Sequence, residues 1–234
     1  MTARRKPGTA RGEPRETAAD ASTPGEATVP EKRRAQIVET AVRLFSESGY
    51  HQTTIDDIAR EADISKGLVY KYFKDKNDVL FFVLCHVLEK YDTEGVLRRA
   101  ADAGPLAALR TLLRNHCEVA NGHVREVLLA YRSTKDLTRD QQRQVKVIES
   151  RDVRVIKQCL EACVHRGLMH PVNTDILAYQ FIMFGQTWAL KHWAYGNRFT
   201  VDEYLAEGEK ILIWSLLTER GRTELETLRA AGGE

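Results

Sequence analysis

Apolar side chains along this chain recur at helical spacing. Ile37, Ala41, Leu44 and Phe45 stand at i, i+4, i+7 and i+8, which predicts an amphipathic helix closed by Gly49. Thr54 opens a second helix, with Asp56 and Asp57 in the first turn where the dipole favours acids. Its inner face is Ile55, Ile58, Ala59 and Ala62. After a turn at Asp63 and Ile64, Ser65 caps a third helix that ends near Phe73. Asp75 caps a fourth, running through Val79, Leu80, Val83, Leu84, Val87 and Leu88. Two short helices joined by a tight turn and braced by a longer one predict a helix-turn-helix.

The helical pattern continues. A break at Asp102 to Pro105 leads into a helix that reaches about Asn121, and a shorter one follows to about Arg132. Thr138 and Gln141 form a capping box that opens a long helix through Val145, Ile148, Val155, Ile156, Leu160 and Val164. Thr200 and Glu203 form another, which starts the last helix. Residues 174–195 are apolar nearly all round, the pattern of a helix covered on both sides. Residues 201–217 carry a further apolar set, with Gly208 and Ser215 small enough for close approach. These two helices are expected to pair with their copies in a second subunit. No strand-like alternation and no internal repeat is found, so the fold class is all-α.

Composition narrows the function. Among 234 residues, 35 lysines and arginines oppose 33 acids, a net charge of +2. A chain so nearly balanced can hold nucleic acid only through local placement of charge. From Ile64 to Lys76 there are four lysines against Asp75, a local charge of 4 − 1 = +3. Arg4, Arg5, Lys6, Arg11 and Arg15 make a basic arm within residues 1–30, a stretch too poor in large apolar side chains to order itself. No apolar run reaches the ~18 residues of a membrane span, and no secretory signal precedes the domain, so a cytoplasmic protein without membrane contact is expected.

Catalytic and metal chemistry find little support. Cys85, Cys117, Cys159 and Cys163 read as buried thiols; Cys159, Cys163 and His165 lack the further ligands that zinc needs. His116, His123 and His192 come without a nucleophile, phosphate loop or metalloprotease motif. The expectation is a protein that is not an enzyme and carries neither cofactor nor metal.

The third helix carries the chemistry. Leu68, Val69 and Phe73 anchor it, while Ser65, Lys66, Gly67, Tyr70, Lys71 and Tyr72 are presented outward. Hydroxyl and ammonium groups bond phosphate oxygens, lysine also reaches guanine edges, and glycine lets backbones approach.

The stretch Arg34 to Leu80 resembles the DNA-binding region of TetR-family transcriptional regulators. The resemblance lies in Ala41, Leu44-Phe45, Gly49-Tyr50, Thr54, Ile58-Ala59, Ala62, Ser65-Lys66-Gly67, Tyr70, Tyr72-Phe73 and Lys76. It implies a homodimeric repressor that binds double-stranded, palindromic operator DNA. By the same resemblance Thr54, Ser65, Tyr70, Tyr72 and Lys76 hold phosphates, and Lys66, Gly67, Leu68 and Lys71 face bases. It further implies a small N-terminal reader and a larger C-terminal ligand domain; the expected division is a disordered arm at 1–30, a helix-turn-helix domain at 31–76, an effector and dimerisation domain at 77–221 and a flexible tail at 222–234. The fourth helix would carry effector binding to the reader.

The region around Trp188, His192-Trp193, Arg198-Phe199-Thr200 and Asp202-Glu203-Tyr204 is similar to family members that sense acyl-CoA thioesters. That similarity implies an acyl-CoA effector, with Phe181, Phe184, Trp188, His192 and Trp193 around an apolar slot. Arg98 and Arg114 are expected as phosphate partners, with Arg110, Arg151 and Arg154 as further candidates. A repressor sensing drugs or small lipophiles is the alternative on the same fold.

Overall fold

The computed structural model describes residues 28–232. The basic arm expected at the N-terminus lies outside them, apart from its last three positions. There a helix has already begun: α1 (Val29–Ser48) starts from Thr28, whose side chain closes a capping box with Glu31. It ends at Gly49, whose φ of 87° suits a residue without a Cβ. The reader continues with α2 (Ile55–Glu61), α3 (Lys66–Tyr72) and α4 (Lys76–Glu89), capped by Thr54, Ser65 and Asp75 as their sequence predicts.

Behind them come α5 (Thr93–Arg99), α6 (Pro105–Gly122), α7 (Val124–Ser133), α8 (Arg139–His165), α9 (Thr174–Leu190), α10 (His192–Tyr195), α11 (Val201–Leu212) and α12 (Glu219–Gly232). Both expected capping boxes form, at Thr138 and Thr200. Helix α8 has 27 residues and is about 40 Å long. Among the described residues no strand occurs; a lone antiparallel bridge joins Met169 to Leu217.

Two boundaries differ from expectation. The helix expected over 174–195 breaks at Lys191, and the one expected to reach 217 stops at Leu212. There the Met169–Leu217 bridge, with His170 N–H donating to Leu216 and Thr218 N–H to Leu168, draws the chain out of helix. The expected flexible tail is the helix α12. Its Leu225 is fully buried in the main core, and its Arg229 pairs with Glu209 of α11.

Two large hydrophobic clusters, and a small third of Ala120, Val127 and Ala189, hold the described residues. One gathers α5, α6, α8, α9, α11 and α12, with α6 and α9 crossing closely. A Cβ on Gly185 would come within 2.8 Å of His116 Cβ, so only glycine lets these helices meet. The other cluster is the reader's core, built on Ile37, Phe45, Ile58, Val69, Phe73 and Leu84. Leu129, Leu137 and Val145 reach into it from the C-terminal half, so α4 packs on both sides. All four cysteines are buried free thiols; burial pushes Cys117 and Cys163 up to about 12.

Candidate DNA-reading surface and ligand cavity

The reader's surface follows from its caps. Thr54 Oγ1 accepts the Asp57 amide and donates to the Asp57 carboxylate at 2.7 Å, so its hydroxyl is engaged in holding α2. Those Thr54 bonds, aided by Arg60, hold Asp57 down to about 2. Ser65 Oγ accepts from the Leu68 amide at 3.2 Å, which leaves its own proton to donate outward. Gly67, Tyr70 and Lys71 are exposed beside it; Tyr70 keeps 49% of its surface. A Cβ on Gly67 would meet nothing nearer than Ser65 Oγ at 3.9 Å. The fold therefore has no need of a glycine there.

Some expected residues are less free. Tyr72 is half-buried against the reader's core, and Leu68 is also half-buried. Lys66 Nζ lies 2.8 Å from Asp56 of α2, and that hydrogen bond raises its pKa. In the free protein Asp56 thus occupies the ammonium group expected to face bases. Lys76 Nζ donates to the His51 carbonyl at 3.2 Å and sits over the Tyr50 ring, 4.4 Å from its centroid; burial lowers its pKa. It braces α4 against the loop between α1 and α2.

Of the residues expected around an effector slot, Phe184, Trp188 and His192 meet in one aromatic cluster with Tyr204, while Phe181 and Trp193 stand apart. Phe181 lies in the main core. Trp188, only 2% exposed, donates Nε1 to Asn121 Oδ1 at 2.9 Å, and His192 packs edge-on against it. Phe184 stacks on Tyr204 at 4.3 Å and lines an open groove of about 710 Å³ over α9 and α11. Trp193, 79% exposed, stands on the surface. Arg98 is exposed on α5, as are Arg151 and Arg154 on α8. Arg114 reaches Glu118 and Asp202, and Arg110 pairs with Glu209 at 2.8 Å. The last two arginines tie α6 to α11, which is how an apolar bundle settles cations within reach of its own acids.

A more enclosed space lies elsewhere. About 210 Å³ is bounded by Leu84, Val87 and Leu88 of α4, Tyr91, α7, Thr134, Val145 and Glu149 of α8, and Gln186 and Leu190 of α9. Sequence reasoning missed it because its walls come from four helices far apart in the chain. Its one legible signal was the apolar stripe of α4, read as core. Thr134 belongs to a single 3-10 turn, Thr134–Asp136, that also touches the reader. The Asp136 carbonyl accepts from Asn77 Nδ2 at 2.6 Å, and its carboxylate lies 3.5 Å from His51 Nε2.

Residues 37–82 match the family described as bacterial regulatory proteins, tetR family. The chain is 43% identical over 195 residues to the HTH-type transcriptional regulator HbdR of Aromatoleum sp. (strain CIB), covering 83% of this chain and 85% of that protein. The chain belongs to the TetR family. It is an all-α, helix-turn-helix transcriptional regulator.

Solved TetR-like structures agree on the fold. AibR in complex with isovaleryl coenzyme A and operator DNA superposes with a TM-score of 0.63 at 26% identity, over 75% of this chain and 95% of that one. The fatty acid degradation regulator FadR from Bacillus halodurans gives 0.63 at 17% identity, over 76% and 96%. No described helix is long and apolar enough to cross a membrane.

Proposed function

We propose that this TetR regulator is a homodimeric repressor, released from a palindromic operator when a small effector enters the cavity beside α4. The observation that carries the reading is the double attachment of that cavity to the reader. One wall is α4, which directly follows the recognition helix α3. Another is Thr134, whose turn ends in Asp136 against Asn77 and His51. An effector that moves either wall favours a reader spacing that does not fit DNA. Linkage then requires DNA to weaken the effector by the same factor. Thr54, Ser65, Tyr70, Tyr72 and Lys76 take phosphates in this reading, and Lys66, Gly67, Leu68 and Lys71 face bases.

The dimer forms through α9 and α11. Ile176, Tyr179, Met183 and Ile211 are exposed there, together with the groove that Phe184 and Tyr204 line. Apolar groups so concentrated on one face of a regulator suit a second copy, and two recognition helices then meet successive half-sites about 34 Å apart.

An acyl-CoA thioester is the effector class that the likeness to AibR supports. The cavity admits only the acyl end, since ligand pockets for larger molecules run to about 300–1,000 Å³. The small volume, with Glu149 among its lining residues, also favours the second reading, a small lipophile. Native mass spectrometry of the purified protein, followed by operator release with each compound found, tests both. Release by thioesters and not by free lipophiles selects the first; a monomer that ignores its own promoter DNA at low salt rejects the whole reading.

A further inference from the structure

The cavity has a polar floor that the protein leaves unsatisfied. Tyr91 lines it and is only 4% exposed, yet its Oη has no hydrogen-bond partner. A buried hydroxyl left in that state costs about 1–3 kcal/mol. The surroundings of Tyr91 have a definite sign. Burial, and after it Asp152 of α8, raises its pKa, and Asp152 has Glu149 and Glu94 near it against Arg151. Glu149 also lines the cavity, and none of the described residues lining it is a lysine or arginine. Leu84, Val87, Leu88 and Val127 make much of the wall aliphatic, and Tyr131, Thr134 and Gln186 add uncharged polar groups to it. An anion is repelled here and a plain hydrocarbon leaves Tyr91 unpaired.

We propose that the cavity selects a short apolar group tipped with an uncharged hydroxyl, which pairs with Tyr91 Oη at the floor. A hydroxyl both accepts from the phenol and donates towards the acids, which neither a methyl nor a carboxylate does. This rests on the cavity being the effector site, and it adds what the effector must carry. A space of this size takes one six-membered ring, so phenol, toluene and benzoate are matched probes. Butyryl-CoA and 3-hydroxybutyryl-CoA ask the same question of a thioester.

Titration calorimetry and thermal shift on the full-length protein decide it. Phenol is expected to bind at least about tenfold tighter than toluene or benzoate, as for sites built around a substrate hydroxyl. Whether the hydroxylated thioester shows the same advantage tells which source carries the group. Tyr91→Phe is expected to erase the preference while leaving toluene binding intact; Asp152→Asn, less buried, serves if that variant misfolds and is expected to let benzoate in. Equal or tighter binding of toluene, or a preference that survives Tyr91→Phe, overturns the proposal. Ala130→Trp fills the cavity and separates the two readings. If it abolishes equal binding of phenol and toluene, the effector site stands and only the hydroxyl requirement falls. If no probe responds to it, both fall.

Discussion

A methyl group added at Gly67 would enter open space, its nearest neighbour 3.9 Å away; one added at Gly185 would press on His116 at 2.8 Å. The two glycines sit on helices of the two halves of the molecule, and they differ in what they serve. Gly185 is required by the fold, because α9 must lie against α6. Gly67 is not, and the space over it suits a partner from outside. The reader's polar groups follow the same division. Ser65, Tyr70 and Lys71 are exposed, while in the C-terminal half Tyr91, His116 and Trp188 are sunk among helices. One region is organised towards a surface and the other around an interior.

Gly185→Val gives the largest effect. It forces α9 off α6 and is expected to cost about 3 kcal/mol by overpacking, lowering Tm by roughly 6–12 °C. Chemical denaturation measures this, and DNA affinity of the folded protein should not change. A stable variant would mean the helices can separate cheaply, and the contrast with Gly67 would lose its basis.

Next comes Lys66, where the reader's surface is contested by its own acid. Lys66→Ala is expected to weaken specific DNA binding by about 1–3 kcal/mol and to relax preference at its base pair. Asp56→Asn should act the other way, since it frees the ammonium that Asp56 now holds at 2.8 Å. Fluorescence anisotropy on specific and random duplexes separates the roles. Equal loss on both for Lys66→Ala would make it a phosphate contact.

The same division explains what could be read without coordinates. The reader runs without interruption from Ile37 to Phe82, and each of its elements is announced locally. Thr54, Ser65 and Asp75 are caps whose partners lie three residues on. Of its candidate residues Ser65, Lys66, Gly67, Tyr70 and Lys71 are exposed, with Tyr72 and Lys76 partly drawn into bracing. The C-terminal half gives periodicity but not adjacency. The apolar run predicts a helix covered on both sides, but α9 ends at Leu190 and leaves Ile176, Tyr179 and Met183 exposed; which side faces core, groove or solvent depends on α6, α7 and α11. So Phe181, Phe184 and Trp193 fall in three different places. Arg110 and Arg114 could not be known to be engaged until α11 was seen beside them. The tail was misread for a related reason: Leu225 and Leu228 form a short stripe whose partner surface lies far back in the chain.

Asp152 tests the interior at smaller scale. Burial, reinforced by Glu149 and Glu94 and opposed by Thr93 and Arg151, raises its pKa to about 6 from an ordinary 3.8. An acid raised in the folded state destabilises the fold at pH above the folded value; that penalty shrinks as pH falls from the folded value to the unfolded one and vanishes below the latter. Asp152→Asn should therefore stabilise the effector-free protein at pH 7.5 by roughly 1–2 kcal/mol, after allowance for its partial exposure. At pH 5 roughly half of that gain should remain, because the unfolded carboxyl, at its ordinary 3.8, is still mostly ionised; near pH 3 the two proteins should melt alike. Thermal melts across that range check the sign; a gain that grows on acidification would mean the carboxylate is a stabilising partner instead.

The smallest effect returns to Gly67, where two readouts should move in opposite directions. Glycine within a helix is less favourable than alanine by up to about 1 kcal/mol, and the new Cβ meets no obstacle. Gly67→Ala should thus raise stability slightly. Its DNA affinity should nevertheless fall, because the helix backbone can no longer approach the duplex so closely. A variant that is more stable and binds as well as the wild type would show that nothing comes close to α3 at this point. The open space over Gly67 would then be ordinary surface, and base reading would rest on Lys66, Leu68 and Lys71.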